Sequence, residues 1–308
     1  MAVNTLFRAL KITEDNSPPV HKMMERNLES PASFITAADW LRNCMNNHEF
    51  CKSTLADRKP PKRLLSVGGE SQHVKLLEIS STARNMEWAA LSYCWGKGVG
   101  PSWKLHACTM SKLKDGVSVG ALDATIRDAV LVTRALGLSY IWIDALCIIQ
   151  GDVKEWEKEA ARMDDAYGGS AVTLVVANSR STKESFLKER DLQYIAVPFR
   201  HKPSARVFLS SEWMSDYDEI SSFWGKRGWT MQEGLLPNRI LYYTPSQMVW
   251  RCCEERRTER GSTKSLQNEI AEAMKHGDEV SFESGWLWRQ DSFTQFKRFT
   301  ELVASDTK

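Results

Sequence analysis

The most constraining stretch of the chain is residues 140–179, YIWIDALCIIQGDVKEWEKEAARMDDAYGGSAVTLVVANS. It opens with a bulky apolar run, residues 140–143, that ends at the carboxylate of Asp144. A short apolar run closed by a polar residue predicts a strand buried on both faces. Gln150-Gly151-Asp152 breaks the pattern, and Asp152 with Glu155 makes a capping pair. Val153, Trp156, Ala160, Met163 and Tyr167 then recur at helical spacing as one apolar stripe, with Glu159 off it and expected to face water. Gly168-Gly169 is expected to end that helix through positive φ, and AVTLVVA at 171–177 reads as a second buried strand. A strand-helix-strand unit is right-handed with its strands parallel in one sheet. The two strands are therefore expected side by side, with helix 153–167 packed across them. Ligands of such sheets bind beyond the carboxyl ends of the strands, where Asp144 and Cys147 fall.

The flanks extend the same α/β alternation. Residues 64–67, 74–79 and 89–93 read as short strands, with Gly68-Gly69 between the first two. Residues 123–136 form an amphipathic helix with Ile126, Val130, Thr133 and Leu136 on one face, stopped by Gly137. Further on, 194–199 and 207–209 are strand candidates, and 240–243 with 248–250 flank Thr244-Pro245-Ser246-Gln247 as a hairpin. The expected organisation is an irregular arm over 1–35, one α/β domain over 36–253 and a charged, helix-prone extension over 254–308. Thr36 is expected to cap a helix reaching about Asn47.

Forty-one basic and 39 acidic residues leave a net charge of +2, which gives no electrostatic case for nucleic acid or a membrane surface. No apolar run approaches the ~20 residues of a membrane span. Seven irregularly spaced cysteines, with no secretory pattern in MAVNTLFRAL, point to reduced thiols and a cytoplasmic location. Twelve tryptophans are a high count, so some are expected to line a wet pocket or an interface. Cys44, His48 and Cys51 have the spacing C-x3-H-x2-C, which suits a metal in part. A zinc site needs about four ligands, and no partner pair stands out elsewhere, so the expectation is that this group binds no metal.

Three motifs together resemble the fungal heterokaryon incompatibility (HET) domain. They are Leu91-Ser92-Tyr93-Cys94-Trp95-Gly96; Trp142-Ile143-Asp144-Ala145-Leu146-Cys147-Ile148-Ile149-Gln150 with Trp156, Glu159, Met163 and Tyr167; and Arg227-Gly228-Trp229-Thr230-Met231-Gln232-Glu233 with Arg239-Ile240-Leu241. The resemblance covers roughly 36–253 and implies a role in fungal nonself recognition that ends in death of fused cells. The 140–179 unit also resembles the middle of a TIR domain. That implies a TIR-like parallel sheet flanked by helices, here elaborated by N-terminal strands and a C-terminal β-hairpin. Many TIR domains cleave NAD with a glutamate carried on a helix after the second of these strands. In this chain Glu184 follows that strand but lacks the accompanying Trp-Cys signature.

Cleaving an N-glycosidic bond passes through an oxocarbenium-like state that asks for a carboxylate near the developing charge. Glu233 and Asp144 are the catalytic candidates. Arg227 suits a pyrophosphate, Trp229 suits stacking and Gln232 a ribose; Tyr93, Trp95 and Cys147 are candidates for the rim of the same site. Asp144 also suits a ribose hydroxyl. The competing reading is that Arg227 and Glu233 pair structurally and Cys147 packs as a buried thiol. Two mechanisms therefore stay open: an enzyme with NAD or a related nucleotide as substrate and no resident cofactor, or a non-catalytic module acting by self-association or with a partner incompatibility protein. On the enzyme reading, Asp144 and the 227–233 cluster are expected to face one cavity.

Overall fold

Trp88 to Ser92, WAALS, is buried at every position, and the rest of the sheet is arranged around this strand. The computed structural model describes residues 8–10, 24–53, 59–69, 71–98, 100–190, 192, 194–199, 202–210, 230–261 and 263–265. Its strands in chain order are β1 (Arg8–Leu10), β2 (Arg63–Ser66), β3 (His73–Glu78), β4 (Trp88–Ser92), β5 (Val117–Ser118), β6 (Tyr140–Trp142), β7 (Val172–Val176), β8 (Tyr194–Phe199), β9 (Lys202–Ser210), β10 (Arg239–Tyr243), β11 (Met248–Cys252), β12 (Glu255–Thr258) and β13 (Thr263–Ser265). The helices are α1 (Pro31–Asn47), α2 (Glu49–Ser53), α3 (Met110–Asp115), α4 (Ala124–Ala135), α5 (Asp144–Cys147), α6 (Val153–Ala160) and α7 (Thr230–Leu235).

Among the described residues the main sheet has ten strands in the order β13-β12-β11-β10-β7-β4-β6-β2-β3-β5, and β1-β9-β8 form a separate small sheet. The four central strands β10, β7, β4 and β6 are parallel. Antiparallel strands extend both sides, so the sheet is mixed rather than purely parallel. The unit 140–179 does place β6 and β7 parallel in one sheet, but they are not neighbours: β4 lies between them and pairs with both. A strand as apolar as β4 gains most where both faces and both edges are covered, which is the centre.

The sequence-derived elements mostly recur with shifted ends. The hairpin β10–β11 turns through Thr244, whose hydroxyl donates to the Gln247 carbonyl at 2.7 Å. Helix α1 begins at Pro31, with the Ser30 hydroxyl accepting from Ser33 N at 3.2 Å. Serine before a proline at the first helical position is a stronger start signal than Thr36, which lies inside the helix and donates to the Ala32 carbonyl. Just past the expected domain end, Glu255–Thr258 and Thr263–Ser265 form strands, not helix. Of the 194–210 segment, β8 and the longer β9 appear as a pair.

Helix α6 departs most. Asp152 caps it as expected, accepting from Glu155 N at 3.0 Å, but it ends at Ala160 and a π-helical turn follows at Asp164–Gly168. Val153 and Trp156, the start of the supposed core stripe, are 69% and 43% exposed, whereas Glu159 is buried. The cause is Arg63 on β2, itself 2% exposed, whose Nη2 donates to Glu155 at 2.7 Å and whose Nη1 donates to the Cys147 carbonyl at 3.1 Å. A buried guanidinium left unpaired costs more than an exposed indole, so the acidic face turns inward. Lys62 and Arg63 hold the Glu155 carboxyl below its usual range, while burial pushes Glu159 up.

The π turn sets Tyr167 edge-on against Trp142, with ring centroids 5.2 Å apart. Gly169 is required for space and not for φ, which is −77°. A Cβ there would lie 2.3 Å from the Asp165 carbonyl and 2.8 Å from the Trp88 ring, whose indole donates to the Ala166 carbonyl at 2.9 Å.

Candidate functional site

The chain leaves β4 toward β6 but leaves β7 toward β10, on the other side of the sheet. Two neighbouring parallel strands with connections departing in opposite directions leave a crevice at their carboxyl ends, the usual ligand position in α/β sheets. That position is filled here by residues from three parts of the chain.

At the end of β4, the buried Ser92 hydroxyl donates to Glu233 Oε2 at 2.5 Å. Glu233 sits on α7, the helix that leads into β10, and is 5% exposed. Arg251 on β11 donates to the Gly234 carbonyl, which ties α7 to the hairpin. Three residues beyond Ser92, the Trp95 indole donates to Asp144 Oδ2 at 2.9 Å, and the other carboxylate oxygen accepts from Ala145 N at 2.7 Å. Both candidate carboxylates are thus anchored to one segment, 92–95, that spans at most roughly 11 Å. Lys104 places its ammonium 5.4 Å from the Trp95 ring centroid, a cation at the same edge that sequence reasoning missed. Gly96 makes the segment possible: its φ is 91°, and a Cβ would lie 2.5 Å from that of Ser181, just past β7.

The other expected residues are distributed unequally. Tyr93 is buried within the core, and Trp95 is half-buried at the edge. Cys147 is 1% exposed, with its thiol accepting from Ile143 N at 3.5 Å and pushed up to about 12 by burial. A protonated thiol packed in the core is not a nucleophile and does not line a rim. Arg227 and Trp229 lie outside the described residues, as does the side chain of Gln232, so of the 227–233 cluster only Glu233 has a described side chain. Glu184 is exposed, and its carboxylate accepts from Arg180 N at 3.1 Å within its own loop.

Sequence reasoning also missed Asp128. Buried on α4, it accepts from the Ser185 hydroxyl at 2.5 Å and from Phe186 N at 2.9 Å, so it fixes the loop after β7. Asp123, which precedes α4, meets Lys183 at 2.7 Å and Ser102 N at 2.9 Å. Burial raises its carboxyl, but Lys183 and Ser102 outweigh that and hold it below the usual range. No period marks either aspartate, because each is selected by a partner about 60 residues away.

The class defined so far is an α/β domain with a mixed sheet, flanked by helices, whose polar residues gather at the carboxyl ends of its parallel strands. Residues 88–233 match the family model for the heterokaryon incompatibility protein (HET). The match begins at the first residue of β4 and ends at Glu233. No curated protein and no solved structure matches the chain. Among the described residues no helix is long and apolar enough to cross a membrane.

Proposed function

We propose that this HET domain is an effector of fungal nonself recognition that cleaves the N-glycosidic bond of NAD or a related nucleotide, with Glu233 as the catalytic carboxylate. The observation that carries the reading is the Ser92–Glu233 hydrogen bond at the carboxyl end of β4, three residues from the indole that holds Asp144. The resemblance of residues 140–179 to the middle of a TIR domain supports the reaction class; Glu233 itself lies on α7, in the connection from β7 to β10.

Each residue has a distinct part. As the bond to the base breaks, positive charge grows on the ribose, and a carboxylate shielded from water stabilises it more strongly than one in bulk solvent. Ser92 donates to one Glu233 oxygen and so orients the other. Asp144, held by Trp95 and Ala145, is placed to accept from a ribose hydroxyl. Lys104 supplies positive charge for a pyrophosphate.

The test is Glu233→Gln in the full chain, with nicotinamide release from NAD and thermal unfolding measured on the same sample at high protein concentration. The expected outcome is an activity loss of about 100-fold or more, with toxicity to the cell lost alongside and the unfolding temperature nearly unchanged. Activity or toxicity that survives in a folded Gln variant overturns the assignment. A second reading, action by self-association without catalysis, is favoured by Val153 and Trp156, two large apolar side chains exposed on α6. It predicts that toxicity and assembly fail together in Trp156→Glu while no nicotinamide is released by either protein.

A further inference from the structure

The end of the sheet opposite the candidate crevice, where β10 begins and β11 ends, holds a second cluster. Cys44 and His48 come from α1 and the residue after it, Cys51 from α2, and Cys252 from the end of β11. Their ligand atoms all lie within 4.8 Å of one another, and all four residues are buried. His48 Nδ1 faces Cys252 Sγ at 3.3 Å and Cys51 Sγ at 3.9 Å. A tetrahedral zinc with ordinary Zn–S and Zn–N bonds has ligand–ligand edges of roughly 3.5–3.8 Å, and the two His48 contacts bracket that figure. None of the seven cysteines is in a disulfide.

The surroundings fit a metal as well as the ligands do. Arg239 on β10 is fully buried; its Nε donates to Cys44 Sγ at 3.1 Å and its Nη2 to the Cys51 carbonyl at 2.9 Å, while Nη1 has no partner among the described residues. A buried guanidinium needs an anion, and the Cys44 thiol that it contacts becomes one on losing its proton to a bound metal. The other imidazole nitrogen, His48 Nε2, faces Glu255 Oε1 at 3.5 Å, the carboxylate–histidine pairing that orients a metal-bound ring. Glu254 accepts from Phe50 N at 2.8 Å and from Cys51 N at 3.4 Å, which steadies the start of α2.

We infer that Cys44, His48, Cys51 and Cys252 form a structural zinc site that fastens the α1–α2 pair to the β10–β11 hairpin. The three thiols release their protons on binding, and Zn²⁺ with three thiolates and a neutral imidazole carries one negative charge, which Arg239 balances. The sequence-based expectation of no metal rested on a missing fourth ligand. Folding supplies it from a residue that follows the central motifs, outside the 88–233 match.

The experiment uses the full chain, purified under reducing conditions from zinc-replete cells. Elemental analysis is expected to find about one zinc per chain that survives gel filtration and leaves on treatment with a mercurial thiol reagent. Metal-free protein refilled with cobalt(II) is expected to show the intense visible bands of a tetrahedral thiolate site. Cys108→Ser, at the exposed cysteine, should keep the metal, whereas Cys252→Ser and His48→Ala should lose it. If those variants do not fold, the cobalt spectrum of the unaltered chain still decides. Substoichiometric zinc together with a pale octahedral cobalt spectrum overturns the site. So does a disulfide joining two of these cysteines in protein alkylated at lysis.

Discussion

Helices α4 and α6 flank the same sheet, and both look amphipathic in the sequence, yet they obey different rules. Helix α4 buries Ile126, Val130 and Thr133 of the stripe that its spacing predicts, and Leu136, just past its end, is partly buried. Helix α6 turns its stripe partly outward and buries Glu159, with Glu155 against Arg63. The contrast shows that apolar period decides a helix's orientation only where the facing surface is itself apolar. Facing α6 is a buried arginine, and an unpaired guanidinium outweighs the area gained by an indole.

The largest effect is expected from truncation on the α4 side. Ile126→Ala should lower stability by about 2–5 kcal/mol in denaturant unfolding, because a fully buried side chain leaves a cavity. Trp156→Ala, by contrast, removes more atoms but should cost less than about 1 kcal/mol, since the indole is 43% exposed. Equal losses at the two sites would break the comparison.

Next comes the ion pair that orients α6. Glu155→Ala strands Arg63, which is 2% exposed and keeps its hydrogen bond to the Cys147 carbonyl but loses its ion-pair partner. A loss of about 3 kcal/mol is expected, the lower end for a broken buried pair because Glu155 keeps some contact with water. Acid should act in the same direction. The Glu155 carboxyl is lowered, so its contribution is present above the unfolded value and fades as pH falls through the folded one. A flat stability profile below pH ~5 in the Ala variant, against a falling one in the unaltered chain, would sharpen the assignment.

The smallest effect has the opposite sign. Burial raises the Glu159 carboxyl, so its favourable contribution is complete below the unfolded value near 4.5 and is lost as pH rises through the folded one. Glu159→Gln should therefore stabilise at pH 7 by less than about 1 kcal/mol and do nothing near pH 4. Destabilisation at pH 7 would show instead that the ionised form is an essential partner of Arg63.

Much of the fold was legible because it depends on local signals. The apolar runs of β4, β6, β7 and β10, the Asp152 cap and the Thr244 turn are each decided within a few residues. The place of β4 between β6 and β7 was not legible, since strand order is set by which apolar strand gains most from the centre. The candidate site divides the same way. Asp144 and Glu233 were recognisable by type and motif, but the serine that holds Glu233 and the indole that holds Asp144 emerge only once β4 lies between its neighbours.

The sequence by itself determined the α/β class, the parallel direction of β6 and β7 and the HET match over 88–233, because periodicity and motif spacing act along the chain. Tertiary structure alone decided which side of α6 is buried, that Cys147 is a core thiol, and that Cys252 completes a four-ligand cluster with Cys44, His48 and Cys51. These outcomes turn on charge and coordination, which depend on distances in space. A burial preference can be read from one residue, but a counter-ion or a fourth ligand exists only when the fold brings it near.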